Sequence, residues 1–83
     1  RLSITYPLPH DRFIIDKNKT AQIIRLETSS YRPIKYMDWF IDGRHYARTG
    51  PPYHTYWKLE KGKHSIMAVA PDRKGDSIEV TVE

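Results

Sequence analysis

The last third of the sequence constrains the fold most, because it alternates apolar and polar residues in short segments separated by turns. The segments cover residues 56–59, 64–70 and 77–83, and Gly62 and Gly75 lie in the turns between them. Alternation with a period of two places every second side chain on the same face of a β-strand. We therefore predict three consecutive antiparallel strands that bury one face.

The first two thirds of the chain repeat this organisation. Strand-like segments cover residues 2–6, 13–16, 21–28, 35–42, 44–48 and 53–59. Asp42 and Gly43 form the strongest hairpin signal, because a type I′ turn needs a positive φ that glycine adopts without steric cost. No segment keeps a 3.6-residue period over ten residues, so we expect no substantial helix. The chain is predicted to be all-β, an immunoglobulin-like antiparallel β-sandwich of about seven to eight short strands.

The inward positions of these strands define a predicted core. Trp39 and Trp57 are its largest members, and we expect them to carry most of the packing. The predicted core residues are Ile4, Ile24, Leu26, Met37, Trp39, Ile41, Trp57, Leu59, Ile66, Ala68, Ile78, Val80 and Val82.

Length and composition limit the domain organisation. Eighty-three residues make one domain, residues 1–83, and with no cysteine in the chain no disulfide stabilises it. The chain begins at Arg1 without an initiator methionine, so we interpret it as an excised C-terminal part of a longer polypeptide. No apolar stretch approaches the ~20 residues of a membrane-spanning helix, and we expect this domain to make no membrane contact.

The charge pattern gives little support for nucleic-acid binding. The chain has 14 basic and 10 acidic residues, a net charge of +4. These residues are dispersed along the sequence, with no run of five like charges. No nucleic-acid recognition motif accompanies them, so a nucleic acid is not among the predicted partners.

The sequence contains no recognisable catalytic or metal-binding motif. A transpeptidase needs Ser-x-x-Lys, but the third residues after Ser29, Ser65 and Ser77 are Arg32, Ala68 and Val80. The four histidines lack the paired spacing of a zinc site. We therefore predict no catalytic residue, metal or cofactor, and we interpret His64 as a partly buried structural histidine bonded to a neighbouring turn.

Aromatic residues near basic ones are the positive functional feature. Tyr36 and Phe40 have the parity opposite to Trp39, so they should point away from the core. Aromatic rings with polar groups nearby suit a protein partner or a sugar ring, because rings offer large contact area at small entropic cost. The candidate binding residues are Tyr36, Phe40, Arg44, Tyr46, Arg48, Tyr53 and Tyr56.

Several elements together resemble one known family. They are Ile4-Thr5-Tyr6-Pro7, the hairpin Trp39-Phe40-Ile41-Asp42-Gly43, Trp57-Lys58-Leu59 followed by Gly62-Lys63-His64-Ser65-Ile66, the turn from Asp72 to Gly75, and the strand with Ile78, Val80 and Val82. This combination resembles the C-terminal domain of bifunctional, class A penicillin-binding proteins of the 1C type. The basic and aromatic segment 44–56 is a departure that members of the family need not share.

The resemblance implies a function through binding. In that family the domain follows a glycosyltransferase and a transpeptidase domain in a membrane-anchored, periplasmic enzyme of peptidoglycan synthesis, and it is accessory. We therefore expect a non-catalytic interaction domain whose partner is the neighbouring transpeptidase domain or another envelope protein, with peptidoglycan as a further candidate. The alternative is a carbohydrate-binding module of another envelope protein that uses the same aromatic residues.

Overall fold

A computed structural model describes residues 2–19 and 21–83, and these residues form eight strands and no helix. In chain order the strands are β1 (Leu2–Tyr6), β2 (Arg12–Phe13), β3 (Ile23–Ser30), β4 (Met37–Ile41), β5 (Arg44–Thr49), β6 (His54–Lys58), β7 (Gly62–Val69) and β8 (Gly75–Val82). The predicted all-β class and the strand number are confirmed.

The strands form two sheets that pack face to face. One sheet has the strand order β1-β3-β6, and the other has the order β2-β8-β7-β4-β5. In β7 and β8 the inward residues alternate with more exposed ones, with Ile66 opposite Ile78 and His64 opposite Val80. The alternating sequence pattern therefore produces the buried face that it predicts.

One strand pair departs from the predicted antiparallel pattern. β2 runs parallel to β8, with Arg12 opposite Thr81, and it is shorter than the predicted segment 13–16. The segment after β1 crosses to the second sheet, where the His10 amide donates to the Glu79 carbonyl and the Thr81 amide donates to the Asp11 carbonyl. These bonds place the chain alongside β8 in the same direction, so β2 extends the edge of the second sheet.

The core lies between the sheets and is centred on Trp39. Its indole is fully buried, and its Nε1 donates to Thr49 Oγ1 at 3.2 Å. Ile24 and Ile41, which were predicted in the core, are half-buried at its margin, whereas the buried Leu2 was not predicted there. The buried apolar residues are Leu2, Ile4, Leu26, Met37, Trp39, Trp57, Leu59, Ile66, Ala68, Ile78, Val80 and Val82.

The hairpin between β4 and β5 has the predicted turn and an unpredicted bulge. Asp42 and Gly43 have φ of +54° and +81°, as a type I′ turn requires. Trp39 lies opposite Ala47 and Phe40 lies opposite His45, so Tyr46 has no partner on β4. A β-bulge of this kind redirects side chains, and the Tyr46 hydroxyl donates to the Tyr56 carbonyl in the other sheet.

Candidate functional site

Three of the seven predicted binding residues meet on the outer face of the second sheet. Together with Asp38 and His45 they form a surface that we call the β4–β5 face: Tyr36, Asp38, Phe40, His45 and Arg48. Asp38 organises it, because Arg48 Nε and Nη2 donate to its two carboxylate oxygens at 3.0 and 3.1 Å. His45 Nε2 lies 2.8 Å from the same carboxylate.

The aromatic rings of this face are held by the same polar groups. The Arg48 guanidinium carbon lies 4.0 Å from the centroid of the Tyr36 ring, a cation–π arrangement. The Phe40 ring meets the His45 ring edge to face, with 5.4 Å between centroids. The β4–β5 face is therefore a connected network whose side chains lose little further freedom when a partner binds.

The charges in this network stabilise one another. The hydrogen bond from Arg48 lowers the pKa of Asp38, against the smaller opposing effect of burial, and the bond to His45 lowers it further. The same bond to Asp38 raises the pKa of Arg48 above its ordinary value. The carboxylate and the guanidinium therefore both stay charged at neutral pH.

Arg44 and Tyr46 lie apart from this face, in a groove between β5 and β6. The groove has a volume of about 600 Å³, and Trp57 and Lys58 also line it. The strands beside it belong to different sheets, and the hydrogen bond from Tyr46 to the Tyr56 carbonyl joins them. The groove thus offers an aromatic ring together with basic and acidic side chains, since Asp42 and Glu60 also line it.

Tyr56 points to a third surface, the outer face of the first sheet. Its side chain is 56% exposed, and Tyr56 lies opposite Arg25 where β6 pairs with β3. Beside it, Tyr6 and Ile23 line the same shallow depression of about 440 Å³. The predicted binding residues therefore do not form one surface, because strand parity separates them onto two sheets and the groove between them.

Tyr53 is not on any of these surfaces, which corrects its prediction as a contact residue. Its ring is half-buried against the core, and its hydroxyl donates to the Ile34 carbonyl and accepts from the Ile34 amide at 3.0 Å. The Tyr53 amide closes a turn on the Gly50 carbonyl, and its φ is +61°. This turn directs the ring inward, so Tyr53 fixes the loop between β3 and β4.

His64 has the structural role predicted for it. The ring is buried, and its Nδ1 lies 2.7 Å from Asp42 Oδ2 while its Nε2 lies 2.8 Å from the Glu60 carbonyl oxygen. Asp42 Oδ1 also accepts the Ser65 amide at 3.0 Å. The histidine therefore joins the β4–β5 turn to the β6–β7 turn. In the described part of the chain, no three His, Cys, Asp or Glu side chains converge as a metal site would require.

A comparison with protein-family models decides the family. The model of the Penicillin-Binding Protein C-terminus Family matches residues 1–82. The chain belongs to this family. The match covers nearly the whole sequence and confirms the resemblance carried by the Trp39–Gly43 hairpin and the strands that follow.

Across residues 2–19 and 21–83, the structure contains no helix with the length and hydrophobicity needed to cross a bilayer.

Solved structures support the fold of this family member. It superposes on the fibronectin(III)-like modules of Clostridium thermocellum CbhA with a TM-score of 0.71 and 21% identity, covering 100% of this chain and 97% of the other. A lytic polysaccharide monooxygenase of Jonesia denitrificans gives a TM-score of 0.58 and 17% identity over 93% of this chain and 60% of the other. A comparison with curated proteins gives no match. At these identities the likeness shows the immunoglobulin-like sandwich alone.

Proposed function

We propose that the chain is a non-catalytic accessory domain of a bifunctional, class A penicillin-binding protein of the 1C type. Its parent enzyme carries peptidoglycan glycosyltransferase and transpeptidase activities and works outside the cytoplasmic membrane, in the periplasm. The family match over residues 1–82 carries this proposal. The domain contributes by binding, either to the neighbouring transpeptidase domain or to another envelope protein.

The chemistry of the chain supports binding over catalysis. No serine in the sequence is followed at the third position by a lysine, as the nucleophile of a transpeptidase would be. The connected polar groups of the β4–β5 face instead resemble a preformed contact surface. Arg48 is held against the Tyr36 ring and bonded to Asp38, so a partner meets an aromatic and cationic surface that is already ordered.

Substitutions on the β4–β5 face of the parent enzyme test this proposal. Tyr36→Ala combined with Arg48→Ala removes the stacked pair, and Lys17→Ala at an exposed turn serves as the control. The double variant should lower peptidoglycan cross-linking in cells while labelling of the enzyme by fluorescent penicillin stays at the wild-type level. Full cross-linking by the double variant would contradict a role for this face, and loss of penicillin labelling would contradict a role confined to binding.

A second candidate function is binding of the peptidoglycan glycan, and the groove between β5 and β6 favours it. A tyrosine ring beside Arg44 and Lys58 offers stacking and hydrogen bonds to a sugar ring. Co-sedimentation of the domain with insoluble peptidoglycan measures this directly. Retention that Tyr46→Ala abolishes and Tyr31→Ala preserves would establish glycan binding, whereas absence of retention would leave protein docking as the function.

A further inference from the structure

The end of the sandwich where β1 begins carries a fourth surface, which is formed by loops. There the β3–β4 loop (residues 31–36) and the β7–β8 turn (residues 70–74) enclose a cavity of about 620 Å³. Leu2, Ile34 and Ala70 provide its apolar lining, and polar groups of the two loops complete it. We call this surface the β1-start end. Of the seven predicted binding residues only Tyr36 belongs to these loops, and none of the seven lines the cavity.

An exposed aromatic ring lies beside this cavity on a loop whose backbone is held by hydrogen bonds. Tyr31 is 93% exposed, the highest value among the exposed large hydrophobic side chains of the described chain. The loop that carries it is held at both sides, since Ser30 Oγ donates to the Arg32 carbonyl and Tyr53 makes two hydrogen bonds to Ile34. An exposed ring on a braced loop is a suitable contact for another surface, because its backbone is already ordered.

The fold also concentrates positive charge at this end. The segments 31–36 and 70–75 contain four basic residues and one acidic residue, a net charge of +3 compared with +4 for the whole chain. The one acid, Asp72, accepts the Lys74 amide at 3.0 Å and so caps its own turn. Arg32 and Lys74 are 42 positions apart in the sequence, but they line the same cavity.

We propose that the β1-start end docks onto the preceding catalytic domain of the parent enzyme, against a surface that is acidic and partly apolar. This inference rests on the proposed function, in which the rest of the enzyme precedes this domain. Leu2, the first residue of β1, lines the cavity, so in a parent enzyme this end is the one nearest in sequence to a domain that precedes β1. A second copy of the chain does not suit the surface, because two ends of net charge +3 repel each other.

Site-specific photo-cross-linking in the full parent enzyme tests the assignment. Tyr31→p-benzoylphenylalanine places the cross-linker at the β1-start end, and Ile14→p-benzoylphenylalanine is the matched control at the opposite end. Ile14 is 73% exposed, and the molecule is 41 Å long and 20 Å wide, so the two probes report separate surfaces. We expect intramolecular cross-links to the catalytic domain from position 31 only. Cross-links from position 14 alone, or from neither position, would overturn the assignment.

Charge reversal tests the chemistry of the docking surface. Arg32→Glu combined with Lys74→Glu should lower the yield of the position-31 cross-link about tenfold, which corresponds to about 1.4 kcal/mol. Lys17→Glu combined with Lys61→Glu makes the same change in net charge at other positions and should leave the yield of the position-31 cross-link unchanged. An unchanged yield in the first variant would exclude an acidic partner surface.

The outcomes separate this inference from the proposed function. Suppose that deletion of residues 1–83 lowers peptidoglycan cross-linking in cells while position 31 forms no link to the catalytic domain. That result would support the accessory function and contradict the docking assignment. If position 31 forms the link but deletion has no effect in cells, the contact exists and the proposed contribution to wall synthesis is wrong.

Discussion

His64 Nδ1 lies 2.7 Å from Asp42 Oδ2, while the other ring nitrogen lies 2.8 Å from the Glu60 carbonyl oxygen. Both partners accept hydrogen bonds, and a neutral imidazole has only one N–H to donate. Only the imidazolium satisfies both contacts. Burial lowers the pKa of His64, but the hydrogen bonds to Asp42 and Glu60 and the Asp42 charge outweigh it, so the pKa is raised above 6.5.

The first prediction concerns pH-dependent stability. Because the folded pKa of His64 is raised, its contribution is complete below the unfolded value near 6.5 and is lost as pH rises through the folded value. The melting temperature should therefore fall as pH rises above about 6.5, and His64→Gln should flatten this part of the profile. His10→Gln is the control and should keep the wild-type dependence. A His64→Gln profile that matches the wild type would contradict the role of the pair.

Asp42, the other member of the pair, makes a contribution to stability whose pH dependence has the opposite sign. Burial raises the pKa of Asp42, but the bonds from His64 and from the Ser65 amide outweigh it, and the pKa is lowered below 3.8. The carboxylate's contribution is therefore present above that value and is lost as pH falls through the folded pKa. Asp42→Asn should cost about 1 kcal/mol at pH 6, because Asp42 is half-exposed, and denaturant unfolding measures this.

The second prediction tests the centre of the core. Trp39→Ala removes the fully buried indole and should cost about 3–5 kcal/mol, comparable with the whole stability of a small domain. Thr49→Val removes only the acceptor of the indole N–H and should cost about 1 kcal/mol. Circular dichroism during urea unfolding distinguishes the two. A cooperative transition of Trp39→Ala near that of the wild type would contradict the core assignment.

Two glycines should respond differently to substitution by alanine. A Cβ added at Gly43 meets nothing within 4 Å, so Gly43→Ala should cost only the strain of its φ of +81°, about 1 kcal/mol. At Gly75 the added Cβ would lie 2.0 Å from the Ala68 carbonyl oxygen, and Gly75→Ala should cost about 3 kcal/mol. Thermal melts rank the two variants, and the reverse order would refute the β7–β8 packing.

The fourth prediction concerns the loop that Tyr53 braces. Tyr53→Phe keeps the half-buried ring but removes both hydrogen bonds to Ile34. Amide hydrogen exchange in residues 31–36 should become at least about threefold faster, with a loss of about 1 kcal/mol in global stability. Tyr46→Phe, which removes a hydroxyl bond elsewhere, should leave that exchange unchanged. Equal exchange in Tyr53→Phe and the wild type would show that the ring alone fixes the loop.

Local sequence signals predicted most of the fold. Alternation predicted the inward side of β7 and β8, and Asp42 with Gly43 predicted the hairpin, because both depend on the geometry of neighbouring residues. The parallel pairing of β2 with β8 was not predictable in this way, because it depends on hydrogen bonds between residues about 70 positions apart.

The candidate site was less predictable, because the alternation of inward and outward side chains no longer holds where a bulge or a turn interrupts a strand. The bulge beside Trp39 leaves Tyr46 unpaired and turns it toward the other sheet. The turn at Gly50 brings Tyr53 inward. Clustering of Arg32 with Lys74 depends on two loops that only the folded sandwich brings together.

The most direct test of the central claim, that this domain binds rather than catalyses, is labelling with fluorescent penicillin. The experiment compares the 83-residue chain alone, the full parent enzyme, and the parent enzyme without this domain. We expect the chain alone to stay unlabelled, while both forms that contain the catalytic domains are acylated. Acylation of the isolated chain, or failure of a folded truncated parent to react, would contradict the claim.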